Sequence, residues 1–194
     1  AWDVSARVGG SPGKIDPLGA NVLEDVVINE FLAHTDLPEI DYIELYNRGT
    51  QAVDISGCVI TDTLATNKYF VPPATVLQPG AFIVFDQTNQ LGFSLSAGGD
   101  EIFVWAPDLS YMVDAVRFDA QANGIANGRF PDGATAFHVL DAQTPGTANG
   151  SAALLINDVV INEIMYSPLS GKDRDEYVEL YNRGSNAVDM SYWR

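Results

Sequence analysis

Carboxylates are the reactive groups this sequence supplies in quantity, and four of them return at matching places: Asp25, Glu30, Glu44 and Asp54 come back as Asp158, Glu163, Glu179 and Asp189. Two carboxylates held at a set separation across a cleft would do glycosidase chemistry. Several oxygens gathered on one loop would hold a hard cation. The run Asp173-Arg-Asp175-Glu176 has that cadence, but it lacks the glycine and distal glutamate of a helix-loop-helix calcium loop, and its counterpart Leu37-Pro-Glu-Ile-Asp41 is poor in acids. The plainer role for the repeated acids is structural, capping turns or accepting hydrogen bonds from backbone, Arg48 or Arg183. Nucleophilic catalysis needs an imidazole base, and only His34 and His138 are present. His34 stands in a loop that differs between the two copies, and His138 sits beside Phe137 on an expected last strand. Gly9-Gly-Ser-Pro-Gly-Lys14 is one residue short of a phosphate loop and is followed by Ile15 where Ser or Thr is required. No catalytic residue, cofactor or metal ligand is assigned.

The acids recur because the sequence around them does. Asp25-Val-Val-Ile-Asn-Glu30 returns as Asp158-Val-Val-Ile-Asn-Glu163, and Tyr42-Ile-Glu-Leu-Tyr-Asn-Arg-Gly49 as Tyr177-Val-Glu-Leu-Tyr-Asn-Arg-Gly184. Ser11-Pro12-Gly13 precedes Val26 by the interval that separates Thr144-Pro145-Gly146 from Val159, so both read as the closing turn of a unit. The expected organisation is residues 1–21 as the remnant of a preceding unit with its spacer, 22–149 as a complete domain, and 150–194 as a spacer and the opening strands of a following unit. The period is domain-sized, which fits beads on a string better than a solenoid. Cys58, the lone cysteine, aligns with Trp193; exchange of thiol for indole suits an apolar core position.

Hydrophobic residues make up 46% and charged residues 19%, the balance of an ordered domain and not of a disordered tail. A unit of this length buries about two-thirds of its unfolded surface and needs no disulfide or metal staple. Net charge is −16 with ten scattered basic residues. Nucleic-acid and anionic-membrane binding rest on basic patches, so neither partner is expected, nor is membrane insertion, since no apolar run reaches spanning length. Few lysines and many Gly, Asn, Thr and Ala lean towards a secreted or cell-surface location. The triplet Asn149-Gly-Ser151 falls in an expected spacer and carries little weight as a glycosylation signal.

The positioning elements are short strands. Apolar runs at Val26–Phe31, Tyr42–Tyr46, Val53–Ile55, Cys58–Thr61, Lys68–Val71, Ala81–Phe85, Glu101–Trp105, Met112–Phe118 and Phe137–Leu140 alternate with Gly, Pro, Asn and Asp turns, and no helical period is sustained. The fold class is therefore all-β, a sandwich. In Tyr42–Tyr46 the alternation puts Ile43 and Leu45 on the core face and Tyr42, Glu44 and Tyr46 on the other.

Val-Val-Ile-Asn-Glu, the variable loop, Asp-Tyr-Ile-Glu-Leu-Tyr-Asn-Arg-Gly and Ala52-Val-Asp-Ile-Ser-Gly57 together resemble the opening of the lamin tail domain, in the form found in bacterial secreted and surface proteins. Gly128-Arg-Phe-Pro-Asp-Gly133, Phe137 and Thr144-Pro-Gly146 resemble that family's closing pattern. The resemblance implies an immunoglobulin-like β-sandwich and a non-enzymatic structural or adhesive accessory module that contacts another protein or a cell-surface component. The alternative is a polysaccharide-binding module attached to a secreted enzyme. Candidates for ligand or partner contact are Tyr42, Glu44, Tyr46 and Tyr111, since tyrosine offers a rigid apolar ring with a polar tip. Opening strands without the rest of a sandwich leave unpaired edges, so residues 159–181 are expected to mediate self-association.

Overall fold

A computed structural model of the chain describes residues 22–65, 69–152, 158–188 and 190. The chain divides into two compact units, Ala1–Ala153 and Leu154–Arg194. The expected remnant in residues 1–13, Lys68, Asp189 and Trp193 lie outside the described residues.

In the first unit a 3-10 turn, Val22–Asp25, leads into eleven strands: β1 (Val26–Leu32), β2 (Tyr42–Asn47), β3 (Val53–Asp54), β4 (Val59–Thr61), β5 (Tyr69–Phe70), β6 (Val76–Leu77), β7 (Phe82–Asp86), β8 (Gly99–Trp105), β9 (Met112–Asp119), β10 (Asn127–Arg129) and β11 (Phe137–Val139). They form a five-stranded sheet ordered β11-β10-β1-β2-β7, a four-stranded sheet ordered β5-β4-β8-β9, and the short pair β3-β6. Every pairing is antiparallel. One apolar core takes Val26, Ile28, Phe31, Ile43, Leu45 and Phe85 from the larger sheet, Ile60, Ile102 and Val104 from the other, and Cys58 from the turn before β4. Two antiparallel sheets sharing one core make the expected immunoglobulin-like sandwich. Ile43 and Leu45 take the core face, as alternation requires, and Cys58 lies inside, where burial pushes its thiol up to about 11.

The strand β1 breaks the period-two rule. Ile28 and Phe31 both enter the core although three positions separate them, because the pairing with β2 shifts register between Ile28 and Glu30. Asn29 is the extra residue of a β-bulge, which resets the alternation and turns two successive polar side chains to the outer face. That face is covered as well. All seven residues of β1 are buried, and a second small cluster of Leu32, Tyr42, Ala126 and Leu140 packs there.

Two strands fall outside the expected set. β6 is only two residues long, and β10 is Asn-Gly-Arg, which has no β-branched or aromatic residue and reads as a turn. It is a strand because β1 and β11 flank it on either side. A π-helical turn, Gln87–Leu91, follows β7, capped by Asp86 accepting from the Thr88 and Asn89 amides.

In the second unit β12 (Val159–Met165) and β13 (Tyr177–Asn182) form an antiparallel hairpin, with a 3-10 turn, Asp173–Asp175, in the connection. Its register repeats that of β1 and β2 residue for residue, Val159 on Asn182 as Val26 on Asn47, with the same bulge between Ile161 and Glu163. Both glycines that end the second strand approach the opening aspartate. A Cβ on Gly49 would sit 2.3 Å from Asp25 Oδ2, and one on Gly184 2.5 Å from Asp158 Oδ2.

Candidate functional site

The outer face of the β1–β2 hairpin carries the densest polar constellation of the first unit. The bulge turns out Asn29 and Glu30, and Glu44 is the cross-strand partner of Glu30. Both glutamates are 0% exposed. Buried carboxylates without a lysine or arginine must be satisfied by neutral donors, and the donors come from the closing segment. Thr144 N donates to Glu30 Oε1 at 2.9 Å, and Thr144 Oγ1 lies 2.6 Å from Glu30 Oε2. Gly146 N donates to Glu44 Oε2 at 2.7 Å. The Tyr42 hydroxyl donates to Glu30 Oε1 from within the hairpin.

Asn29 acts as a hub with all of its amide groups in use. Its Nδ2 donates to Glu44 Oε1 at 3.1 Å and Asp132 Oδ1 at 3.0 Å, and its Oδ1 accepts from Gly133 N at 3.0 Å. Asn149 fastens the other side: its backbone N donates to Asp132 Oδ1 at 3.0 Å and its Nδ2 to Arg129 O at 2.7 Å. Thr144 Oγ1 is also 2.8 Å from Asn149 Oδ1, so one hydroxyl proton faces two acceptors. Gly128 makes room for this contact, since a Cβ there would meet Asn149 Nδ2 at 2.6 Å and Asn29 O at 2.8 Å.

The backbone beside the bulge loses sheet partners and finds side chains instead. Ile28 N donates to Asp114 Oδ2 at 2.8 Å, and Ile28 O accepts from Arg129 Nε at 2.7 Å. Arg129 Nη2 in turn bonds Asp114 Oδ2 at 2.9 Å, its Nη1 reaches Ala134 O and Thr135 O, and its guanidinium stands 4.5 Å over the Phe137 ring. One ion pair, its arginine buried and its aspartate partly so, thus ties β10 of the larger sheet to β9 of the smaller.

The electrostatics follow from burial. Desolvation pushes the Glu44 carboxyl up to about 7, opposed by the Asn29 and Gly146 hydrogen bonds and reinforced by the charges of Glu30 and Asp132. Burial, with the Glu30 hydrogen bond and charge behind it, also drives the Tyr42 hydroxyl far above its ordinary range. The Glu44 carboxyl can therefore hold a proton near neutrality. It has no open cleft in front of it, because the closing turn occupies the acceptors.

A lamin tail domain model matches residues 20–136 and 154–194. The chain belongs to the lamin tail domain family. No curated protein and no solved structure matches it. Lamin tail domains are a non-catalytic immunoglobulin-like family, and the two matched stretches leave out the Thr144-Pro-Gly146 turn that the structure seats on Glu30 and Glu44.

Within this lamin tail domain the contact candidates scatter. Tyr42 and Glu44 are buried, contrary to a role as exposed contacts, because the closing segment covers the face that alternation assigns to solvent. Tyr46 is half-buried and stacked on Phe82 at 4.6 Å. Tyr111, half-buried, lies in the turn between β8 and β9 of the other sheet, so the three tyrosines share no single platform. His34 Nδ1 bonds Gln121 O at 2.8 Å, and His138 is exposed on β11. Asp175 is engaged by Ser170 and Arg174, Asp173 and Glu176 are exposed, and among the described residues no group of three His, Cys, Asp or Glu is placed to hold a metal. Asn149 is a buried member of the domain and not a spacer residue, which takes its amide out of reach as a glycosylation acceptor. Sequence reasoning missed Asn29, Asp114, Arg129, Asp132 and Asn149. Asn29 had a signal, its place in the repeated Val-Val-Ile-Asn-Glu block, and Arg129 and Asp132 had one in the Gly128-Arg-Phe-Pro-Asp-Gly133 block of the closing pattern; nothing in the sequence ties Asp114 or Asn149 to them.

Proposed function

We propose that the chain is a non-enzymatic structural and adhesive module of a larger protein assembled from successive lamin-tail-like units, placed outside the cytoplasm and acting through contacts with another protein or a cell-surface component. The observation that carries this reading is the burial of Glu30 and Glu44 under the closing turn. Two of the four acids that the repeat singles out, Glu30 and Glu44, are consumed in holding the sandwich shut, and Arg129 with Asp114 in joining its sheets. What remains for recognition is surface. Net charge of −16 with scattered bases favours cationic or protein partners over nucleic acid, and among the described residues no helix is long and apolar enough to cross a membrane.

The test is to immobilise the full chain and probe it in parallel with a glycan array and with surface-protein extracts of intact cells. Saturable protein binding that survives 0.5 M salt, with a silent glycan array, is the expected result. Saturable binding to a defined polysaccharide, lost on replacing Tyr46 and Tyr111 by Ala, would overturn it in favour of a carbohydrate module.

A further inference from the structure

Independently of what the surface binds, we infer that residues 141–151 form a pH-sensitive latch, held shut over Glu30 and Glu44 while Glu44 keeps its proton and loosened from an otherwise intact sandwich when Glu44 ionises. The loop is built to come away by itself. Its ends meet at a narrow neck, where Leu140 bridges Ala152, Asp141 N donates to Ser151 O at 3.2 Å, and Ser151 Oγ bonds the Asp141 carboxylate. Within the loop no apolar side chain is buried: Ala142, Pro145 and Ala148 are exposed, and Asn149 alone is buried.

What holds the loop is a set of neutral donors set against acids and carbonyls. The Thr144 N–H and hydroxyl, Gly146 N and Asn149 N reach Glu30, Glu44 and Asp132. Gln143 Nε2 donates to Gly124 O at 2.9 Å, and Asn149 Nδ2 to Arg129 O at 2.7 Å. A segment fastened by hydrogen bonds, with no apolar burial of its own, lies at the low end of local stability and opens before the strands do.

Charge decides when it lets go. Facing Glu44 are Glu30 from β1, Asp132 from the turn between β10 and β11, and Tyr42 from its own strand, while its β7 partner Val84 is neutral. Glu39 adds negative charge around Tyr42. Residues 141–151 contain no lysine or arginine, and the Arg129 guanidinium is committed to Asp114 and to the carbonyls of Ile28, Ala134 and Thr135. Ionised, Glu44 is a buried charge beside Glu30 with no cation to offset it. Lifting the loop admits water to both carboxylates and unfolds no strand. Shut, the Glu44 carboxyl sits at about 7; open, it returns towards an ordinary 4.5. The raised value belongs to the shut form, so closure is favoured in full below pH 4.5 and weakens as pH rises through 7. Opening also bares Tyr42 and Glu44, the two contact candidates that the shut form buries.

Amide hydrogen exchange of the full chain, resolved by NMR and corrected for the intrinsic pH dependence of exchange, tests this at pH 5.5 and 8 with urea kept below the unfolding transition. The Thr144, Gly146 and Asn149 amides should lose protection about 25-fold between the two pH values, at rates that urea leaves unchanged. The Ile102 and Val104 amides of β8 should exchange far more slowly and speed up with urea, as amides released by global unfolding do. Glu44→Gln should make the loop's protection independent of pH. Gly146→Pro removes the N–H that Glu44 accepts and forbids the left-handed φ of 82°, so it should strip the loop of protection already at pH 5.5 while β8 keeps its own. Loop amides that share the rate and urea dependence of β8, a pH dependence absent from the parent or surviving in Glu44→Gln, or loss of β8 protection in Gly146→Pro would each overturn the inference. None of these readings depends on a partner, so the proposed function is tested separately.

Discussion

Replacing Glu44 by Gln should tilt the stability of the 22–149 sandwich with pH in a direction opposite to a salt-bridged acid. The Glu44 carboxyl sits at about 7 in the folded chain against an ordinary 4.5. A folded pKa above the unfolded one means that folding takes up a proton, so the contribution is complete below pH 4.5 and is lost as pH rises through 7. At about 1.4 kcal/mol per tenfold, that interval is worth about 3 kcal/mol. Glutamine is neutral throughout and keeps the shape. Its amide can accept from only one of Asn29 Nδ2 and Gly146 N, which reach separate oxygens in the parent, so it forfeits a hydrogen bond worth about 1–2 kcal/mol at every pH. The variant should therefore be less stable than the parent by that amount near pH 4.5 and level with it or more stable at pH 8. Urea unfolding followed by circular dichroism at half-unit steps from pH 4.5 to 8 gives both curves, and their difference isolates the Glu44 site from every other titrating group. Parallel curves, separated by a constant amount across the range, would refute the claim that burial holds this carboxyl near neutrality.

Removing the charge of Arg129 while keeping its bulk, as in Arg129→Met, should cost about 3 kcal/mol or more in the same urea assay, because Asp114 loses its cation and Ile28 O its donor; Asp114→Asn in that background should recover part of the loss. Gly128→Ala should cost more than about 3 kcal/mol, since the new methyl meets Asn149 and the Asn29 carbonyl within 2.8 Å, while Gly150→Ala, where the nearest atom is 3.6 Å away, should leave the unfolding midpoint close to that of the parent. Cys58, buried and with its thiol pushed up to about 11, should resist iodoacetamide at pH 8 and label fully in urea, as read by mass spectrometry; rapid labelling of the native chain would contradict its place in the core.

The strands were legible because each needs only a short run of alternating apolar residues. Nine of the eleven strands of the first unit overlap the expected runs, and the core face of β2 follows from its alternation alone. β10 was not legible, since Asn-Gly-Arg becomes a strand by being flanked. The phase of β1 was not legible either. A one-residue bulge is invisible in Val-Val-Ile-Asn-Glu-Phe-Leu until its partner strand is placed, and it is the bulge that sends Asn29 and Glu30 outwards together. The face of Tyr42 and Glu44 was read correctly and its environment was not, because alternation tells which side of a sheet a residue takes and nothing about what later covers that side.

By itself the sequence determined the hairpin, its repetition, the all-β class and the lack of an obvious nucleophile, because these depend on neighbours and on composition. The hairpin is so local that it forms twice with the same register, the same bulge and the same Asn–Glu and Tyr–Glu hydrogen bonds, once covered and once exposed. Only the tertiary structure decided what the repeated acids do. Glu30 meets its closing turn across 114 residues, Glu44 across 102 and Ile28 its arginine across 101. Contacts at that separation leave no periodic trace in the chain, and whether a glutamate is a solvated surface charge or a buried acceptor near neutrality depends on whether those distant donors arrive.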